Sequence, residues 1–230
     1  MDLEKVFPRT VIHILGIPLR DSVVQAFLTV LVLGVLAVLS SRHYRTWDPR
    51  SWQLLVEYLV EYVESLVRDM SGRVLPQVVP FLTALILFVA VSNILGVFPL
   101  LRAPTRDLNT TAALSLVALG SWLYHGVRAR GLRGYLHSYI EPMAFMLPLN
   151  LLGLFSRMLS MALRLFGNVI AGEIIGAVMF ALVPVLVPLP MTLLSLLVSL
   201  LQALVFTVLT LVFIVDAMGQ EEDPAPTSTL

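Results

Sequence analysis

Between Met143 and Val183 the chain is a nearly unbroken apolar run with one proline, Pro148, near its start. As one helix this stretch would be about 60 Å long at ~1.5 Å per residue. A bilayer's hydrocarbon core is only ~30 Å thick. Such a helix must be steeply tilted, broken, or curved along the membrane. Pro184, Pro188 and Pro190 then mark a turn, and a second long apolar helix follows to about Met218. Two over-long helices in a hairpin are not the upright spans of a usual transporter.

Three more apolar segments precede this hairpin, giving five in all: 22–40, 78–101, 109–127, 143–183 and 190–217. Helix is the default for each, because every backbone group in lipid must find its partner internally. The composition agrees. Hydrophobic residues make up 58% and charged residues 13%, where a soluble domain carries about 25% charged. The expected fold is an all-α integral membrane protein with five membrane-embedded helices and one amphipathic surface helix, the last two helices forming a long tilted hairpin. Residues 1–218 are expected to be a single membrane domain, and 219–230, acidic and rich in Pro, Thr and Ser, a disordered tail. Residues 1–21 are mixed and charged, and no small-residue cleavage pattern follows the first apolar run. That run therefore reads as a retained transmembrane helix behind a short non-cytoplasmic tail.

The stretch 51–72 differs. Glu57, Glu61, Glu64 and Arg68 recur at helical spacing on one face, with Leu55, Tyr58, Leu59, Tyr62 and Leu66 filling the rest. An amphipathic helix of this kind lies on the membrane or against a partner, or else packs on its own protein. Orientation follows from basic residues near helix ends. Arg42, Arg45, Arg50, Arg68, Arg73, Arg128, Arg130 and Arg133 fall on one side; Lys5, Arg9, Arg20, Arg102 and Arg106 fall on the other. The bias favours an outside N-terminus and a cytoplasmic C-terminus in a multi-pass protein, and the expected setting is a bacterial inner membrane.

Several functions lack their residues. Net charge is zero, so nothing electrostatic points to nucleic acid. The chain has no cysteine, and His13, His43, His125 and His137 are scattered, so no metal is assigned. No G-x-x-x-x-G-K-[ST], H-E-x-x-H or G-x-S-x-G pattern occurs, which leaves no ATP site and no hydrolase centre. Asp216, isolated near a helix end, offers no dyad. A secondary transporter would show internal repeats, and none is evident. No cofactor and no soluble substrate are implied.

Chemistry concentrates on the fourth segment. Arg164 lies deep inside an unbroken apolar helix, where a charged side chain costs about 2.5–3.5 kcal/mol on insertion scales. A snorkelling arginine would sit near a helix end. The bland alternative is a structural ion pair with another helix. Glu173, nine residues on, is opposite in azimuth and about 13 Å along the axis, so the two cannot pair locally. Arg157, Arg164 and Asn168 share a face. On the last helix Thr192, Ser195, Ser199 and Gln202 form a polar line about 15 Å long. Short hydroxyls often bond only their own backbone, but a primary amide deep in lipid wants an interhelical partner. In an antiparallel hairpin, the partner for Gln202 lies near Arg164 or Asn168. Gly172 and Gly176 form a small-xxx-small pair that permits close helix contact.

The run Leu163-Arg164-Leu165-Phe166-Gly167-Asn168, followed by Ala171-Gly172-Glu173, resembles the signature helix of F-type ATP synthase subunit a. Pro104 to Thr110 and Phe206 to Leu211 resemble other parts of that family, and the likeness extends over about residues 10 to 218. It implies a non-catalytic, ion-translocating stator subunit, the proton being the first candidate ion, although the rotor carboxylate largely decides between proton and sodium. The implied partners are a ring of c subunits, b-type peripheral stalk subunits and membrane lipid. Arg164 would be the essential arginine facing the ring, with Asn168 and Gln202 beside it. Glu173 would line the half-channel open to the outside, Arg157 would lie toward the cytoplasmic half-channel, and Asp107 would be a polar group near the outer face. Some members carry a histidine near Ser195; serine cannot titrate, so water held by Ser195 and Ser199 would replace a Glu–His relay.

Overall fold

The computed structural model describes residues 10–14, 17–42, 51–72, 75–96, 103–140, 145–182 and 188–219. The expected disordered tail, beyond Gly219, lies outside the described residues, as does most of the turn between the two long helices. A short hairpin that the sequence reading did not include comes first. Strands β1 (Thr10–Ile14) and β2 (Ile17–Arg20) pair antiparallel, with Ile12 opposite Leu19 and Ile14 opposite Ile17. The β-branched Thr10, Val11, Ile12 and Ile14 suit that conformation.

Six helices follow: α1 (Asp21–Arg42), α2 (Ser51–Ser71), α3 (Val79–Leu95), α4 (Leu108–Ile140), α5 (Met146–Leu182) and α6 (Pro188–Met218), with a 3₁₀ turn, Pro104–Arg106, before α4. Among the described residues, three helices are long and apolar enough to cross a membrane: Asp21–Leu39, Met146–Leu182 and Pro190–Met218. Val79–Leu95 is apolar but shorter. Apart from the short hairpin, the helical membrane architecture is as expected, while the three helices long enough to span do not establish the expected five. The first helical segment of α4 runs a few residues past the expected end at 127, through Arg128 and Arg130, which are good helix formers, and a second segment carries the chain from Leu132 to Ile140. The two segments meet at Gly131, whose non-helical φ of 73° and ψ of 157° are open to glycine without strain. Beyond this break, the Tyr135 ring lies against Gly126, where any Cβ would collide with it.

The core lies where α6 packs against α3, α4 and α5. Leu82, Val89, Trp122, Leu165, Phe206, Leu211 and Ile214 are each at most 2% exposed. The Trp122 and Phe213 rings meet edge-on, centroids 4.5 Å apart, a favourable aromatic arrangement. α2 joins this core through Val63 and Val67, both fully buried, yet turns Leu55 and Tyr58 outward, 71% and 65% exposed. Helix α2 thus packs on its own protein along one edge and keeps an apolar outer face.

The loop before α4 is fastened on several sides. Thr105 Oγ1 donates to Asn93 Oδ1 of α3, and Asn93 Nδ2 donates to the Ser199 carbonyl of α6, both at 2.8 Å. Ser22 Oγ of α1 donates to Asp107 Oδ2 at 2.6 Å. Asp107 also stands at the N-cap of α4, its Oδ1 accepting from the Asn109 N–H. Gly96 allows the chain to return, since a Cβ there would strike Ala103.

Candidate functional site

One stripe of α5, formed by Met161, Ala162, Leu165 and Val169, is buried. Helical geometry sets Arg164 about 100° away from Leu165, and its side chain is exposed. Among the described residues it makes no hydrogen bond or ion pair. Asn168, between the stripe and Arg164, donates from Nδ2 to Gln202 Oε1 at 2.8 Å. Gln202 is 5% exposed, so this amide pair meets the demand of a buried polar group for a partner. The interhelical contact expected for Gln202 is therefore made with Asn168.

Towards the α5–α6 turn, a cleft of about 210 Å³ opens between the two helices. Glu173, Asn93, Thr192, Ser195 and Ser199 line it, and Glu173 is its one ionisable side chain among the described residues. The polar line on α6 runs inward here: Thr192 is exposed, Ser195 half-buried, Ser199 and Gln202 buried. Gly172 makes the cleft's floor narrow, because a Cβ there would overlap Ser195 Oγ. Glu173 finds its charge partner outside the hairpin: Arg106 Nη1, from the 3₁₀ turn, is 3.5 Å from Glu173 Oε2. The Arg106 side chain is 7% exposed and that of Glu173 30%.

At the other end, two adjoining clefts of about 280 and 630 Å³ share Arg130, Arg157 and Asp216. Arg157 Nη1 lies 3.2 Å from Asp216 Oδ2, and its guanidinium stands 5.0 Å from the centre of the Phe213 ring. Asp216 thus has a partner, contrary to its reading as isolated. Both side chains are well exposed, and pairs of this kind contribute about 0–1 kcal/mol. The α5 residues lining these clefts end at Arg157, and those lining the first begin at Val169. The intervening stretch, about 18 Å long, carries Arg164 and Asn168 and borders neither opening.

The structure brings Glu173, Ser195 and Ser199 together, and Asn168 with Gln202. It keeps Arg157 apart from both groups. Asp107 sits in the loop that holds Arg106 and is not among the described residues that line the cleft. Sequence reasoning did not single out Asn93 or Arg106 for this site. An amide inside the apolar run 78–101 was the available signal for Asn93; no spacing rule links Arg106 to α5.

The chain matches the family model of the ATP synthase A chain over residues 22–215. The chain belongs to that family. ATP synthase subunit a 1 of Crocosphaera subtropica is 37% identical over 207 residues, 90% of each chain. ATP synthase subunit a of Nitrosospira multiformis is 35% identical over 213 residues, 92% of this chain and 85% of its own. ATP synthase subunit a 2 of a Bradyrhizobium species is 39% identical over 171 residues, 74% of this chain and 77% of its own. As a member of the ATP synthase A chain family, the protein is a non-catalytic, proton-translocating subunit of the membrane sector, associated with the rest of the synthase.

The position of Asp107 in this family member yields a stability prediction. Asp107→Ala removes the α4 cap and the acceptor for the buried Ser22 hydroxyl. A lost cap costs about 1 kcal/mol and an orphaned buried donor ~1–3 kcal/mol. The variant should therefore lower the thermal unfolding midpoint of the detergent-solubilised complex, and Asp107→Asn, which still caps, should lower it less. Equal midpoints for wild type and Asp107→Ala would rule out this role.

Proposed function

We propose that the two sets of clefts are the half-channels of an ion path, and that Arg164 is the fixed charge separating them. The observation carrying this reading is the approach of clefts to α5 from opposite ends, with Arg164 in the stretch that lines neither. Arginine stays protonated in proteins. It can attract an ionised carboxylate on a passing rotor but cannot hand a proton on. An ion arriving by one cleft therefore transfers to a carboxylate of the c-subunit ring, travels with it, and leaves by the other cleft. A membrane potential supplies about 2.3 kcal/mol per charge per 100 mV, which biases the motion. In this scheme Glu173, Ser195 and Ser199 line the outer half-channel, Arg157 the cytoplasmic one, and Asn168 with Gln202 fix the surroundings of Arg164. Asp107 acts indirectly, by holding the loop. The N-terminus is outside and the C-terminus cytoplasmic. The exposed face of α5 is turned to the ring, and α1 and α2 meet lipid and the b-type stalk.

The absence of native cysteine makes a sidedness test clean. Ser195→Cys replaces a hydroxyl by a thiol of similar shape, and Gly153→Cys places a thiol in the opposite cleft, where the position has open space. In assembled complexes, a membrane-impermeant thiosulfonate should modify Ser195→Cys from the outside only and Gly153→Cys from the cytoplasm only. Modification of both from one side would sink the two-half-channel reading.

A further inference from the structure

We infer that Arg106 is a positioning residue for ion passage through the outer cleft, a second fixed cation that holds the Glu173 carboxylate at the cleft wall. This rests on the reading of that cleft as a half-channel. Arg106 comes from a loop, yet only 7% of its side chain is exposed, and its Nη1 lies 3.5 Å from Glu173 Oε2. Arginine remains a cation in such a place. Burying it is costly unless it is paired and hydrogen-bonded.

Holding the loop in place does not require this pair. Thr105 bonds Asn93, Asp107 bonds Ser22, and Asp107 caps α4, so α1, α3 and α4 already fix the turn. A buried ion pair is also a weak source of stability compared with apolar packing. The fastening is what makes Arg106 useful, because a guanidinium on a rigid turn can fix a carboxylate on another element. Among the described residues, Glu173 is the one ionisable group lining the cleft, beside Ser195 and Ser199. With one carboxylate oxygen drawn towards Arg106, Glu173 keeps acceptor capacity for water in the cleft, and its charge is compensated. The ion then passes a polar wall and meets no deep anionic trap before reaching the Arg164 region.

The test uses the whole synthase in inverted membranes, with ATP-driven pumping as the readout. Arg106→Gln keeps hydrogen-bonding capacity and removes the charge; Arg106→Lys keeps the charge. Arg106→Gln is expected to reduce pumping by roughly tenfold or more in assembled complexes, the scale of losing one preorganised charge. Arg106→Lys is expected to restore most of it, which a purely shape-dependent role would not allow. The double variant Arg106→Gln/Glu173→Gln should be no worse than Glu173→Gln alone. Near-normal pumping by Arg106→Gln beside an impaired Glu173→Gln would overturn this inference and leave the half-channel intact. Normal pumping by Glu173→Gln would overturn the outer half-channel, and this inference with it. If Arg106→Gln does not assemble, Arg106→Lys decides: assembled and active supports the fixed-charge role, assembled and inactive overturns it.

Discussion

Arg164→Ala is expected to abolish both ion-driven ATP synthesis and ATP-driven pumping while the complex still assembles. The size of the effect follows from the charge removed. Two unit charges ~4 Å apart attract by about 4 kcal/mol at the effective dielectric of a partly exposed protein site, a factor of several hundred or more in any step that depends on it. Arg164 has no acid of its own among the described residues, so its removal should leave the fold nearly untouched. ATP hydrolysis by the soluble sector, uncoupled from pumping, should survive. Arg164→Lys is expected to rescue poorly, since a compact ammonium lacks the planar, bidentate fork of the guanidinium. The measurement is coupled synthesis and pumping in membranes matched for assembled complex. Coupled activity retained by Arg164→Ala would make the arginine a structural group and remove the mechanism.

The second large effect is expected at Gly172. Helices α5 and α6 approach so closely there that a Cβ would overlap Ser195 Oγ, while Ser195 Cβ is at ordinary contact distance, 3.4 Å. Gly172→Ala can be accommodated by rotation of the Ser195 hydroxyl, so a modest loss is expected. Gly172→Leu cannot, and over-packing of this kind costs ~1–3 kcal/mol. It would also fill the cleft beside Glu173. Gly172→Leu should therefore lose most ion flux, and pairing Gly172→Ala with Ser195→Ala should relieve the smaller defect. Passive ion flux through membranes stripped of the soluble sector reads this directly. Wild-type flux in Gly172→Leu would mean that ions do not use this cleft.

Much of the fold could be read from the sequence because lipid leaves few options. The first apolar run, 22–40, became Asp21–Arg42, and the long runs became α5 and α6 with ends shifted by a few residues. The expected end at 127 lies close to the break at Gly131, and the short segment beyond it was missed because an apolar run reports contact with lipid or core, whereas a polar stretch can be helical without one. The β-hairpin was missed because four or five residues carry little periodic signal. At the site, the Asn168–Gln202 contact followed from one antiparallel register. The same register brings Gly172 to Ser195 and Arg157 to Asp216, so the latter pair was legible once the first was placed. The Arg106–Glu173 pair was not, because its geometry is set by hydrogen bonds to α1 and α3 that no local spacing encodes.

Helix α5 carries three charged side chains, Arg157, Arg164 and Glu173. Two are matched by acids or bases elsewhere in the chain, at Asp216 and Arg106. The third, Arg164, has no such partner among the described residues, and it faces outward. On the proposed reading, a newly made chain holds this guanidinium against lipid before assembly, at a cost of about 2.5–3.5 kcal/mol on insertion scales. That cost is relieved when an acidic neighbour arrives. On that reading the unmatched charge ties the residence of the free subunit in the bilayer to its finding a partner.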